Sequence, residues 1–199
     1  MNRPFLFLGI ILFLSSCISR KKELVISAPT VSSPDLSLNT ASEAELFHIA
    51  CFNKDTALVK TAVVKITNQA NLFHVACFND EATIRKIAVD RLSDESNLFH
   101  IASFDEDAAV RKLAVSKMSN QSKLFHIASF DDDVATRKIA INKLNDQANL
   151  FHIASFDKDT ASRKLAVSKI NDKQRLNHII AFEKDNEIRE LALNQLQHN

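Results

Sequence analysis

The sequence predicts an all-α fold, a right-handed α-solenoid of six 26-residue two-helix repeats, from three observations. Closely similar segments recur every 26 residues without insertion, apolar residues within each segment follow helical spacing, and residues 40–199 contain neither Gly nor Pro. The repeats begin at Leu46, Leu72, Leu98, Leu124, Leu150 and Leu176. Two short helices cannot bury an apolar face alone, whereas stacked repeats share one continuous core.

The first half of each repeat, LFHIASFD at residues 124–131 in the fourth, is predicted to form a short helix. Its polar residues His126 and Ser129 are three positions apart, whereas a strand would alternate with a period of two. In the first repeat Ser42 and Glu45 fit a capping box at the helix start. The pattern leaves open whether this helix is α or 3₁₀.

The second half of each repeat is predicted as an α-helix with one apolar face. In the fourth repeat, between Asp133 and Leu144, spacings of three and four place Ala140, Ile141 and Leu144 on the same side. Acidic residues precede the segment, as a helix N-terminus prefers.

The composition excludes several classes of function. The chain has 25 Lys and Arg against 24 Asp and Glu, so it has no basic excess with which to bind nucleic acid. The lone Gly lies before residue 40, which excludes phosphate-binding loops, the dinucleotide fingerprint and the nucleophile elbow from the repeats. We therefore expect no enzymatic activity and no cofactor.

The N-terminus has the pattern of an export signal, because Arg3 precedes the apolar run Phe5–Leu14, which is shorter than the roughly 20 residues a bilayer span requires. Leu14-Ser15-Ser16-Cys17 resembles the bacterial lipobox, in which the Cys is lipidated and becomes the new N-terminus. The predicted domains are a lipoprotein signal peptide (1–16), Cys17 with a flexible Ser/Thr/Pro linker (17–41) and the solenoid (42–199). Ile18 follows the Cys where inner-membrane retention would favour Asp, and this resemblance implies the outer membrane.

Two repeat families share features with the chain. The motif D-x-D-x-x-V-R-K-x-A-V-x-x-(L/M), as in residues 105–118, resembles the second helix of a HEAT repeat, and the short unit with L-x-x-(I/V)-A-x-F-(D/N)-x-D resembles bacterial leucine-rich repeat variants. Both families are helical solenoids that usually serve as binding scaffolds. A few HEAT-like proteins are enzymes acting on nucleic acids or attaching bilins, and no catalytic motif of either kind is found in the chain.

One arginine per repeat falls on the apolar face of the second helix, with an acid four residues earlier. The arginines are Arg85, Arg111, Arg137, Arg163 and Arg189, and the acids are Glu81, Asp107, Asp133, Asp159 and Asp185. A buried Arg must be paired, so we expect each acid to bind its Arg within the helix or across to the next repeat. HEAT-like resemblance implies a structural ladder of such pairs; an anion site is the alternative. Val59 replaces the Arg in the first repeat.

Two rows of basic residues are predicted to face solvent. The first row is Lys60, Lys86, Lys112, Lys138 and Lys164, and the second is Lys65, Arg91, Lys117, Lys143 and Lys169. The rows form either a solvated surface or a docking stripe for an acidic protein partner, in which Lys86, Lys112, Lys138, Lys164, Lys117, Lys143 and Lys169 are the candidate contacts.

Every Phe beyond the leader occupies a repeat slot and is predicted to lie in the core. The slot after the leading Leu holds Phe47, Phe73, Phe99, Phe125 and Phe151, and the slot that closes the first helix holds Phe52, Phe78, Phe104, Phe130, Phe156 and Phe182. Asn177 replaces the first of these in the last repeat, which suggests that this slot packs on the following repeat. The chain has no Trp or Tyr, so exposed aromatic side chains that stack on sugars or bases are not expected. Cys51 and Cys77 share a small-residue slot and are either packing residues or a disulfide.

One histidine per repeat interrupts the apolar run of the first helix. The six are His48, His74, His100, His126, His152 and His178. The favoured interpretation is a half-buried, hydrogen-bonded ladder between repeats; a metal site and a pH response of buried imidazoles are the alternatives.

These features together predict a lipid-anchored protein of the bacterial cell envelope, facing the periplasm or the cell surface. Its expected function is that of a scaffold or adaptor that binds an unidentified protein partner, held to the membrane through lipid on Cys17 and without nucleic acid. The alternatives are a metal- or ligand-binding protein or enzyme that uses the histidine row, and a purely structural envelope lipoprotein.

Overall fold

The computed structural model describes residues 38–198, and in this part of the chain each repeat forms two α-helices and no strand occurs. The first helices of the repeats are α1 (Glu43–Phe52), α3 (Gln69–Phe78), α5 (Glu95–Phe104), α7 (Gln121–Phe130), α9 (Gln147–Phe156) and α11 (Lys173–Phe182). The second helices are α2 (Thr56–Lys65), α4 (Ala82–Arg91), α6 (Ala108–Lys117), α8 (Val134–Lys143), α10 (Thr160–Val167) and α12 (Asn186–His198). The all-α solenoid is confirmed, and the first helix of each repeat is an α-helix.

The helix ends explain how the chain turns without glycine. The predicted capping box is present, since Glu45 accepts a hydrogen bond from the Ser42 amide at 2.7 Å and donates its own amide to the Ser42 hydroxyl at 3.3 Å. First helices end on a residue with extended backbone, such as Asp105 with φ −65° and ψ 135°. No left-handed residue is needed there, so the absence of Gly carries no strain.

The core runs between the two helices of each repeat and continues into the next repeat. In the third repeat, Leu98, Ile101 and Ala102 of α5 pack with Val110 and Ala114 of α6, and all five are buried. The apolar face predicted for the fourth repeat is confirmed, because Ala140, Ile141 and Leu144 are fully buried.

Hydrogen bonds from the first residue of every first helix but the last link successive repeats. The Glu43 carboxylate accepts the backbone amides of Thr67 and Asn68 at 3.0 and 2.8 Å, and Gln121 accepts the amide of Asn145 at 2.7 Å in the same way. The amide of Asn68 lowers the pKa of Glu43. These bonds satisfy backbone groups in the turns before the first helices, and they fix the register between repeats.

The second helices of neighbouring repeats pack more closely against one another than the first helices do. Extra space therefore opens between the first helices, on the side of the solenoid that carries the histidines. No helix within residues 38–198 is both long and apolar enough to cross a bilayer.

The predicted signal peptide, Cys17 and most of the predicted linker lie outside the described residues. The last four linker residues, 38–41, are described, and Leu38 is buried against the core while Asn39 accepts a hydrogen bond from Lys65 at 2.6 Å. The packed structure therefore includes residues that the composition assigned to the linker, because Leu38 covers apolar surface of the first repeat.

Candidate functional site

The histidine of each repeat lies on the outer face of its first helix. In α5, His100 is four residues from both Ser96 and Phe104, so these three side chains share one face, while Leu98 and Ile101 point into the core on the other. The same small residue, histidine and phenylalanine order recurs in five of the six first helices, with Gln174 in place of the small residue in the last.

The Phe that closes each first helix is exposed, contrary to the prediction that it lies in the core. The exposed fraction of these side chains is 71, 71, 74, 70, 72 and 72% for Phe52, Phe78, Phe104, Phe130, Phe156 and Phe182. The prediction was wrong because hydrophobicity was taken to mean burial. Six positions separate Leu98 from Phe104, a rotation of about 600° at 100° per residue, which directs the Phe away from the core.

The histidine rings connect consecutive repeats by aromatic contacts. Each ring lies tilted against the Phe four residues later, as in the 5.0 Å centroid distance between His100 and Phe104. From the second repeat onwards, each ring also contacts edge-on the half-buried Phe of the preceding repeat, as in the 5.4 Å distance between Phe73 and His100. The slot of Phe73 thus packs on the following repeat, as Asn177 in the last repeat suggested. Each such aromatic pair contributes about 0.5–1.5 kcal/mol beyond its buried area.

These twelve side chains lie on the outer faces of the six first helices and are here named the Phe–His row. Its members are His48, Phe52, His74, Phe78, His100, Phe104, His126, Phe130, His152, Phe156, His178 and Phe182.

The predicted hydrogen-bonded histidine ladder is wrong. Within residues 38–198, no ring nitrogen of these six histidines makes a hydrogen bond. His100 is half-buried, and the other five histidines are exposed. The alternative of a pH response required buried imidazoles, and the structure does not bury these rings. The described residues also contain no group of three or more His, Cys, Asp and Glu arranged to hold a metal ion.

The arginine ladder forms, but with a different acid from the one predicted. Arg85 Nε and Nη2 donate to Asp105 of the next repeat at 2.8 and 3.0 Å, and Arg85 Nη1 donates to the carbonyls of Asn79 and Asp80. The hydrogen bond to Asp105 raises the pKa of Arg85 despite its burial. The further rungs are Arg111 with Asp131, Arg137 with Asp157, and Arg163 with Glu183.

The acids that were predicted as arginine partners have another role. Asp107 caps α6 by accepting the amides of Ala109 and Val110 at 2.7 and 3.1 Å, and these bonds lower its pKa. Burial raises the pKa of Asp133, yet hydrogen bonds from Thr136 and the ion pair with Lys112 outweigh it and hold the value at about 2. Asp159 and Asp185 cap their helices likewise, whereas Glu81 accepts the Thr56 hydroxyl of the preceding repeat.

The sequence contained a signal for the correct arginine partner. The first repeat has Val59 in place of the Arg but retains the acid four residues earlier, Asp55. The second repeat has Asn79 in the slot that later holds Asp105. At the junction of the first and second repeats, the arginine slot holds Val59 and the acid slot of the following repeat holds Asn79. The loss of both charges at the same junction indicates that these two slots contact each other.

Most lysines of the predicted docking stripe are engaged in contacts between repeats. Of the first row, Lys112 and Lys138 lie 3.1 and 3.9 Å from Asp133 and Asp159, and Lys164 pairs with Glu187. The positive charge of Lys86 adds to the hydrogen bonds that lower the pKa of Asp107.

The second basic row caps helix ends. Lys143 donates to the Ser116 carbonyl of the preceding second helix at 2.6 Å, and Lys117 and Lys169 donate to the corresponding carbonyls of Asp90 and Asn142. These carbonyls lie in the last turn of their helices, where they lack an intrahelical partner. Docking of an acidic partner on the two rows stays a prediction.

Clefts open between the exposed Phe side chains of consecutive repeats. A cleft of about 410 Å³ lies between Phe156 and Phe182, with Ser155 and Asp157 in its wall, and one of about 300 Å³ lies between Phe130 and Phe156. The corresponding cleft between the second and third repeats is only about 60 Å³. In the cleft of about 300 Å³, the Ser129 hydroxyl is buried without a hydrogen-bond partner among the described residues.

Cys51 and Cys77 are free thiols in the cleft walls. Burial raises the pKa of both, and that of Cys77 reaches about 11 because Asp105 adds to the effect. The neutral thiol form is therefore favoured, and the structure supports the packing interpretation of this slot over the disulfide.

Comparison of the chain with protein-family models, with curated proteins and with solved structures finds no match. The resemblance to HEAT-like repeats and leucine-rich repeat variants stays a prediction.

Proposed function

We propose that this protein is a lipid-anchored interaction scaffold of the bacterial cell envelope and that the Phe–His row is its partner-binding surface. The observation that carries the proposal is the exposure of one Phe side chain in every repeat, 70% or more in each case. Monomeric proteins rarely leave contiguous apolar surface in water unless it binds something. Burial of one such Phe by a partner contributes about 1.5–3 kcal/mol of transfer free energy.

The row also meets the requirements of a protein interface. Aromatic side chains dominate interface energetics, and the histidine nitrogens offer one unused hydrogen-bond donor per repeat. Since the ring contacts between Phe73 and His100 and their equivalents hold the row in place, little side-chain freedom is lost on binding. No step of the proposal requires catalysis or a cofactor.

The envelope location rests on the leader. Lipid on Cys17 would hold the protein at a membrane surface, and the residues between Cys17 and Leu38 would let the solenoid reach roughly 25 Å from it if they behave as a flexible coil. The outer membrane is the favoured location because Ile18 follows the Cys.

The test is crosslinking in intact cells that express either the native chain or Phe104→Ala. A crosslinked partner that is lost with Phe104→Ala and retained with Lys138→Ala supports the scaffold. Cys17→Ser tests the anchor, since it should release the protein from the membrane fraction. Loss of the partner with Lys138→Ala but not with Phe104→Ala would move the binding surface to the basic rows.

The rival function is metal or ligand binding by the histidines. Zinc, copper or nickel at stoichiometric levels should then raise the thermal stability of the protein, and His126→Ala should abolish that rise. An unchanged melting temperature would remove this rival.

A further inference from the structure

We propose that the Phe–His row binds a second copy of this chain, in an antiparallel pair centred between the fourth and fifth repeats. The inference rests on the proposed scaffold function and names its partner. It depends on the exposed Phe side chains, on the order of the charges beside them and on the identity of the two surfaces.

A second copy matches the period of the row without any adjustment. Each exposed Phe follows the previous one by 26 residues, so two copies carry the same surface at the same interval, whatever that interval is. In an antiparallel pair with its twofold axis along the first helices, each exposed Phe near the axis faces an exposed Phe of the other copy, and every contact occurs twice. A ligand of another kind would need a period of its own that agrees with the row.

The charges beside the row change sign along the solenoid. Two residues after the exposed Phe, the second, third and fourth repeats carry exposed acids, whereas the first, fifth and sixth carry exposed lysines. The acids are Asp80, Glu106 and Asp132, and the lysines are Lys54, Lys158 and Lys184. Asp132 and Lys158 line the same cleft as Phe130 and Phe156, so these charges border the row.

The charges nearest the proposed axis are available to a second copy. The Glu106 side chain is 86% exposed and only loosely paired, 3.5 Å from Arg85. The side chains of Asp132, Lys158 and Lys184 make no ion pair or hydrogen bond among residues 38–198. Opposite charges that meet at the edge of an interface steer association and fix its register.

Only one antiparallel register that joins more than two repeats of each copy brings opposite charges together at every facing pair. With the axis between the fourth and fifth repeats, Asp132 faces Lys158 of the second copy, and Glu106 faces Lys184 of the second copy. An axis between the third and fourth repeats would instead place Glu106 opposite Asp132. An axis through any single repeat would place one charge opposite its own copy, and a parallel pair in register would do so throughout.

The same order of charges disfavours other partners. The acids of the second, third and fourth repeats repel nucleic acid phosphates and anionic lipid headgroups. A polycation would be attracted by these acids but repelled by the lysines of the fifth and sixth repeats. A second copy presents both signs in the reverse order, which is what the row requires.

The apolar area of this contact suits a reversible dimer. The four repeats contribute Phe104, Phe130, Phe156 and Phe182 from each copy, and each of these side chains is 70–74% exposed. Eight such rings, each burying roughly 100–150 Å², would remove about 1,000 Å² from water. This area lies at the lower end of specific interfaces, so we expect a dissociation constant in the micromolar range.

The experiment measures the dissociation constant of the purified protein by sedimentation velocity at physiological salt. Every chain carries Cys17→Ser, so that lipid cannot cause association. Phe130→Ala should raise the dissociation constant at least about tenfold, because the twofold axis makes each ring contribute to the interface twice. Asp132→Lys and Lys158→Asp should each raise it at least about tenfold, since each places like charges opposite one another on both sides of the axis.

A mixture of the two charge variants tests the register. In a pair of one Asp132→Lys chain and one Lys158→Asp chain, both central contacts again join opposite charges, so the mixture should dimerise within about threefold of the native affinity. The matched controls are Lys60→Asp and Asp90→Lys, which change exposed charges on α2 and α4 and should keep the native affinity. Circular dichroism checks that each variant keeps its helices.

A native protein that stays monomeric up to about 200 µM would overturn the inference. Native affinity in Phe130→Ala or in either charge variant, or a mixture of the charge variants that stays monomeric, would overturn it as well. Binding to phosphatidylcholine vesicles that depends on Phe130 would assign the row to a lipid surface and refute the dimer.

The crosslinking experiment in intact cells separates this inference from the scaffold function. A crosslinked product of two copies of this chain that is lost with Phe104→Ala supports the inference. A Phe104-dependent product with a different protein, together with a monomeric native chain in sedimentation, would leave the scaffold function in place and refute the second copy as its partner.

Discussion

Replacement of Arg137 should destabilise the protein strongly. Arg137 is 4% exposed, and its side chain donates to Asp157 of the next repeat at 3.2 and 3.4 Å and to the carbonyls of Asp131 and Asp132 at 2.9 and 3.4 Å. Arg137→Val leaves the Asp157 carboxylate buried without its cation, and the two carbonyls lose a donor. Breaking one side of a buried ion pair costs about 3–5 kcal/mol.

The chain itself supplies the compensating change. Between the first and second repeats, Val59 and Asn79 occupy the positions of Arg137 and Asp157. Asn79 keeps the turn, since its side chain accepts the Glu81 amide at 2.9 Å as Asp157 accepts the Asp159 amide at 2.7 Å. The double replacement Arg137→Val with Asp157→Asn should therefore recover most of the loss, with a coupling energy of about 2 kcal/mol or more.

Urea unfolding followed by circular dichroism measures the free energy of unfolding for the four members of this cycle. The two single replacements should each lower it by several kcal/mol, and the double by clearly less than their sum. Additive losses, within about 0.5 kcal/mol, would refute the view that the two residues stabilise the stack as one pair.

Three further predictions follow from the same structure. Phe99→Ala should cost about 2 kcal/mol or more in unfolding free energy and Phe104→Ala less than about 1 kcal/mol, because only Phe99 packs against the core; equal losses in urea unfolding would contradict the assignment of the two slots. The pKa of Asp133 is lowered to about 2 from an ordinary 3.8, so its contribution to stability is present above about pH 4 and is lost as the pH falls towards 2; the pH dependence of stability over this range should be shallower in Asp133→Asn, and an unchanged slope would contradict the cause. Cys77, with a pKa of about 11, should react at pH 8 with a thiol reagent far more slowly than free cysteine, and non-reducing mass spectrometry should find no bond to Cys51 in the oxidised protein.

The period and the helical faces could be read from the sequence because they are local. Spacings of three and four placed Ala140, Ile141 and Leu144 on one buried face, and the burial of Arg137 followed from the same face. The contact of Phe73 with the next repeat was also predictable, since the last repeat lacks the corresponding Phe.

The partners across repeats were harder to predict because they depend on the offset between stacked units, which the sequence of one unit does not encode. Asp105 lies seven residues after Leu98 and continues its core face, yet the predicted partner of Arg85 was Glu81, because Glu81 lies four residues from Arg85 and Asp105 lies 20 residues away in the next repeat. The exposure of Phe104 was missed for a different reason. Apolar residues contribute much of any protein surface, so hydrophobicity alone does not decide burial, and the spacing of four from His100 was the better guide.

The arginine ladder begins with a neutral pair, Val59 and Asn79, and the uncharged residues at this end affect whether copies of this chain can join end to end. A solenoid whose last repeat could stack on the first repeat of another copy would grow into an open filament. The first repeat, however, presents Asn53 where later repeats have the ladder acid. Arg189 instead donates within its own repeat, to the Glu183 carbonyl at 2.7 Å and to the Asn186 side chain. Stacking of a second copy would bury the Arg189 cation opposite a neutral amide, and this mismatch opposes polymerisation while every internal junction remains matched.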